Sequence, residues 1–157
     1  MKAAGVLAPE GKPPRPPVTR LMLEKLVQEL DSSIPENACM VALACTAFWS
    51  QSRLGELVSP RANSFDDKRT LKRAHLGPSV TRSGSRTINY PWTKTRGLKG
   101  DSTILNRQPG LVDPIAALEN HLSINNPILN LPLFSFKVDT RQMCMTKTRF
   151  LGICNGV

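Results

Sequence analysis

A chain of 157 residues, 40% hydrophobic and 21% charged, is large enough for one ordinary domain with a buried core and is not composed like a disordered polymer. No run of about 20 apolar residues exists, which excludes a helical membrane span, and the opening MKAAGVLAPEGKPPRPP has too short an apolar stretch for a secretory signal. The net charge of +9 sits almost wholly in residues 61–107, where eleven basic side chains face three acidic ones, the footprint of a polyanion partner.

Residues 1–17 read as a proline-rich linker, because Pro13-Pro14-Arg15-Pro16-Pro17 favours an extended polyproline conformation over helix or central strand. Thr19 then fits an N-cap, and Leu21, Met22, Leu26, Val27 and Leu30 recur at helical spacing until Asp31-Ser32-Ser33. Pro35-Glu36 opens a second helix, the most apolar of the chain, with Met40, Leu43, Ala44, Ala47 and Phe48 on one face. No charge appears from Ala38 through Ser52, so this helix is expected to be covered on most sides. A polar break then delivers Arg53, followed by Leu54-Gly55-Glu56-Leu57 and Pro60. An arginine at the edge of so apolar a segment needs an anionic partner. Glu56, three residues on, is one candidate and a phosphate gripped in a bidentate fork is the other.

After Pro60 a polar, basic stretch runs to about Gly77-Pro78. Alternation then places Ile88, Tyr90 and Trp92 on one face of a strand and Thr87 and Asn89 on the other. The segment 93–100 is turn-rich, and Ser102 to Leu105 gives a second short strand, so a small antiparallel sheet is expected. Asp113-Pro114 caps another helix with Ile115, Leu118 and Leu122 as its stripe, which leaves His121 at the surface. Leu131 to Phe136 reads as a short apolar strand or extended segment, and a last helix begins after Thr146. The four cysteines, Cys39, Cys45, Cys144 and Cys154, form no C-x-x-C pair and have no histidine at ligand spacing. Buried reduced thiols are expected, as in a cytosolic or nuclear protein, and neither a metal nor another cofactor is called for.

The phrase FWSQSRLGEL, with its R-x-x-E-L after a buried helix, resembles the first arginine box of the tyrosine recombinases, in particular the branch found in fungal mobile elements. The run Pro91-Trp92-Thr93-Lys94-Thr95 resembles the same branch, where a lysine occupies the turn after a strand. The likeness extends from about Pro13 to the last residue. It implies an α+β fold, mainly helical with a small antiparallel sheet, with 18–157 as the N-terminal half of a catalytic domain. It also implies that Arg53 binds the scissile phosphate, that Glu56 supports it, and that Lys94 is the general acid that protonates the leaving 5′ oxygen, since an alkoxide leaves poorly.

The family's second cluster, His-x-x-Arg and a nucleophilic tyrosine, has no counterpart here. Neither His75 nor His121 stands in a His-x-x-Arg sequence, and the one tyrosine, Tyr90, sits within a strand. Without a nucleophile no covalent intermediate forms. The expectation is therefore a truncated DNA breaking–rejoining enzyme, inactive alone, that binds duplex DNA in the nucleus, with oligomerisation on DNA as the parent family implies. Lys68, Arg69, Lys72, Arg73, Arg96 and Lys99 are the expected DNA contacts. Two other readings stay open: a non-enzymatic basic nucleic-acid-binding module, and a protein-interaction fragment acting through the proline-rich arm.

Overall fold

The computed structural model describes residues 16–157, so the linker lies outside it apart from Pro16 and Pro17, which are exposed and without regular structure. The described residues form a mixed α+β fold with five α-helices, a three-stranded antiparallel sheet and a separate β-hairpin. None of the helices is long and apolar enough to cross a membrane.

The core is built on α2 (Pro35–Ser50), which is buried without interruption from Ala38 to Thr46. Its small residues, Ala38, Ala42 and Ala44, let neighbouring backbones approach closely. Its principal partner is α4 (Pro114–Asn125). Met40 and Leu43 supply bulk and are fully buried. Full burial of such a side chain stabilises by about 1.5–3 kcal/mol. The helix stops at Gln51, which adopts a left-handed conformation with φ 52°. That reversal turns the chain toward Arg53.

Helix α1 (Arg20–Glu29) starts as expected, with the Thr19 hydroxyl accepting from the Met22 amide at 3.3 Å. Its buried residues are Leu23 and Leu26, while Leu21 and Met22 are exposed. The apolar stripe is therefore narrower than its spacing suggested. Met22 lies in an open apolar groove between α1, α2 and the last helix, α5 (Lys147–Gly156). Thr146 caps α5 by accepting from the Arg149 amide, and Arg149 pairs with Glu36 at the start of α2.

The helix α4 corrects the expectation for His121, which is 0% exposed. Its Nε2–H donates to the Leu133 carbonyl at 2.8 Å and its Nδ1 accepts from Asn125 Nδ2 at 2.9 Å. Asn125 also donates to the Pro35 carbonyl and accepts from the Lys137 amide. The ring stacks near Phe134. The stripe of α4 is widened because the segment before β4 packs on the flank where His121 lies. Burial above all, with the charge of Arg73 adding and the Leu133 bond opposing, lowers the His121 pKa to about 4.

A pH effect follows. The unfolded chain binds a proton at His121 below about pH 6.5, and the folded chain resists it until about pH 4. Stability is therefore complete above pH 6.5 and is lost as pH falls through that window, by about 2 kcal/mol at pH 5. Urea midpoints at pH 7 and pH 5 measure this. A His121→Gln variant, although less stable at pH 7, should lose much of the decline.

In the sheet, β1 (Leu76–Ser79), β2 (Arg86–Tyr90) and β3 (Asp101–Leu105) lie in sequence order, with Ile88 opposite Thr103 and Tyr90 opposite Asp101. Ile88, Tyr90 and Leu105 face the core. Trp92 falls beyond the strand end and is only half-buried. The strand β1 lies within the stretch read as merely basic and polar. It lacks alternation because Gly77 and Pro78 occupy an edge strand. The apolar run 131–136 is strand only at its end. Pro132 has no amide to donate and Leu133 bonds instead to the Leu71 carbonyl, so β4 begins at Ser135 and pairs with β5 (Arg141–Cys144). The four cysteines are free, three of them buried and Cys154 half-buried.

Candidate phosphate-binding site

Arg53 immediately precedes α3 (Leu54–Leu57), a single turn too short to be stable without outside support. Glu56 supplies that support. Its carboxylate accepts from the Arg53 amide at 3.3 Å and faces the Arg53 guanidinium at 3.5 Å. The same carboxylate accepts from the amide of Lys94 at 3.0 Å. Glu56 is 9% exposed whereas the Arg53 side chain is 58% exposed. A buried carboxylate therefore joins two backbone positions 41 residues apart, and the guanidinium, with one nitrogen toward Glu56, stays exposed to an external anion.

Lys94 is exposed, and no carboxylate pairs with it among the described residues. Its backbone is held rigidly. The buried Thr93 exchanges backbone hydrogen bonds with Gly97 at 3.2 and 2.8 Å, and the Thr93 hydroxyl accepts from the Arg96 amide at 3.1 Å. Gly97 and Gly100 carry positive φ values of 59° and 64°. A β-carbon at Gly100 would lie 2.2 Å from the Tyr90 carbonyl oxygen, so the loop closes against β2 only with glycine there.

Tyr90 locks the same region from below. Its hydroxyl meets Ser52 Oγ at 2.5 Å, and Ser52 Oγ meets Ser50 Oγ at 2.7 Å. Burial raises the Tyr90 pKa, partly offset by its serine bonds. A buried phenol so engaged is an anchor between β2 and the end of α2, and it presents no nucleophile. The cysteines offer none either. Burial raises Cys39 and Cys144, and pushes Cys45 up to about 12 with the charge of Asp113 adding. Among the described residues, no group of three or more His, Cys, Asp or Glu is placed to hold a metal ion.

The basic block divides in two. Some of its cations are neutralised within the fold. Lys72, 13% exposed, pairs with Asp67 at 2.5 Å, Arg96 with Asp101 at 3.2 Å, and Arg107 with Asp113 and Glu119 at 3.0 and 2.6 Å. Arg73 is half-buried, and its charge helps to lower the pKa of His121 on α4 and of Arg86, which starts β2 at the end away from Lys94. Lys68 and Lys99 are exposed and pair with no carboxylate among the described residues. Arg69 has only a long approach to Asp66, 3.8 Å, and lies over the Trp92 ring at 5.5 Å from its centroid.

The fold thus gathers Arg53, Glu56, Lys94 and, through Trp92, Arg69, while Lys72 and Arg73 lie apart. The alternation placed Trp92 on one strand face with Ile88 and Tyr90, whereas the strand ends at Tyr90 and Trp92 is half-buried beyond it. No family model, no curated protein and no solved structure matches this chain.

Proposed function

We propose that the chain binds the phosphate backbone of duplex DNA at the Arg53–Lys94 site, as the first half of a recombinase-like catalytic domain, and that it does so without cutting the strand. The observation that carries this reading is the Glu56 carboxylate, which holds the backbones of both Arg53 and Lys94. That is the arrangement needed for a guanidinium on the non-bridging oxygens of a phosphate and an ammonium near its leaving oxygen. The two motif resemblances fall on the residues so joined. The burial of Tyr90 favours binding over covalent chemistry in this chain.

Fluorescence anisotropy with a labelled duplex tests the reading. Binding through about four phosphate contacts weakens roughly a hundredfold between about 50 and 200 mM salt. The double variant Arg53→Ala, Lys94→Ala should lower the salt slope by about two. Binding that ignores salt, or that is unchanged in the double variant, counts against it. A nicked suicide substrate should yield no covalent protein–DNA adduct on a denaturing gel, and an adduct at any residue would overturn the non-covalent reading.

A further inference from the structure

A cleft of about 630 Å³ opens beside the Arg53–Lys94 site. Gly55, between Arg53 and Glu56 in the chain, lines it, and so does Trp92, two residues before Lys94. The segment after α3 contributes another side. Ser59 pairs in parallel with Thr146, and its amide donates to the Met145 carbonyl at 3.1 Å. This pairing brings Arg61 and the first turn of α5, with Lys147, to the same opening.

Three cations therefore converge from separate parts of the sequence. Arg61 and Lys147 are exposed, and neither pairs with a carboxylate among the described residues. Arg69 is braced on Trp92. Its guanidinium carbon lies 5.5 Å from the ring centroid, within cation–π range. The one acidic residue lining the cleft, Asp66, accepts from the Lys68 and Arg69 amides at 2.9 and 3.2 Å, which directs one oxygen into its own turn.

We infer that this cleft receives one nucleotide of a DNA strand, with its phosphate held by Arg61, Arg69 and Lys147 and its sugar and base against Trp92. The inference rests on the Arg53–Lys94 site being a DNA-phosphate site, since the cleft then takes a neighbouring nucleotide of the same strand whose base is unpaired, at a nick or strand end of the bound duplex. Its volume falls in the range of organic-ligand pockets and is too large for a bare phosphate to fill. An aromatic side chain beside cations is the standard equipment for a strand whose bases are unpaired.

The test follows the two indole N–H signals by NMR while a six-nucleotide oligothymidylate is added. Trp49 is an internal reference, because its Nε1–H already donates to the Val112 carbonyl at 2.8 Å. The Trp92 signal should move and the Trp49 signal should not. Arg69→Ala with Lys147→Ala should weaken oligothymidylate binding at least tenfold, and the exposed single change Arg61→Gln should weaken it several-fold without risk to the fold. An unmoved Trp92 signal, or unchanged affinity in these variants while the duplex still binds, overturns the cleft and leaves the Arg53–Lys94 reading standing. Inorganic phosphate that moves Trp92 as far as the oligonucleotide does at equal concentration also overturns it. Loss of duplex binding in the wild-type chain would instead remove the reading beneath.

Discussion

Glu56→Ala is expected to weaken DNA binding about as much as the double variant Arg53→Ala, Lys94→Ala does and to cost the fold about 3 kcal/mol, because it leaves the Arg53 and Lys94 amides without their common carboxylate, at about 1–3 kcal/mol each when poorly solvated. The loss reaches further than one helix turn. Without the carboxylate, α3 has no cap and the loop carrying Lys94 has no tie to it. Glu56→Gln separates geometry from charge. The Arg53 and Lys94 amides reach different carboxylate oxygens, so the single amide oxygen can accept from only one of them and the NH2 group faces the other, and stability should recover by no more than half. The charge that attracts the Arg53 guanidinium is also gone, so DNA affinity should exceed that of Glu56→Ala. Urea unfolding and anisotropy on the same two variants decide the matter. Equal stability of Glu56→Ala and the parent would show that the bridging carboxylate is incidental.

Gly100→Ala should be at least as damaging, at roughly 3–5 kcal/mol, by two mechanisms that add. An alanine at φ 64° costs about 1–2 kcal/mol in backbone strain. Its β-carbon would also lie 2.2 Å from the Tyr90 carbonyl oxygen, which is backbone within a strand and has nowhere to go. The comparison with Gly97→Ala isolates the second term. Gly97 has a similar φ of 59° but open space around its absent side chain, so only the strain of about 1–2 kcal/mol remains. Thermal melts of the two variants should differ by many degrees. If they fall together, the contact with Tyr90 has been relieved by local movement.

Much of the fold was legible because it follows from local chemistry. Thr19, Asp113 and Thr146 each cap the helix that their position announced. The charge-free run after Ala38 became the buried core helix, and the alternation of Ile88 and Tyr90 became the central strand. What failed was decided by distant partners. His121 is spaced like a surface residue, and only the carbonyl of Leu133 and the amide of Asn125 make its burial affordable. Lys72 and Arg96 count as cations in any sum, yet carboxylates at Asp67 and Asp101 neutralise them locally. The contact of Glu56 with the Lys94 amide has no signature at all, because any residue in that place would present the same N–H.

The bond between Glu56 and the Lys94 amide carries a consequence for the order in which the molecule assembles. Arg53 emerges from the ribosome long before Lys94, yet α3 has little reason to persist until the Lys94 loop arrives. That loop is pinned only once Gly100 has passed Tyr90 and β3 has paired with β2, Tyr90 opposite Asp101. At synthesis rates of about 5–20 residues per second, the site is absent for some seconds after its first residue is made. A nascent chain stalled before β3 would carry every side chain named for the phosphate site and still bind no phosphate there. The tie between Glu56 and Lys94 thus forms on the hairpin's closure, late and all at once, and on the proposed reading a growing chain has no grip on nucleic acid through this site while its core is still open.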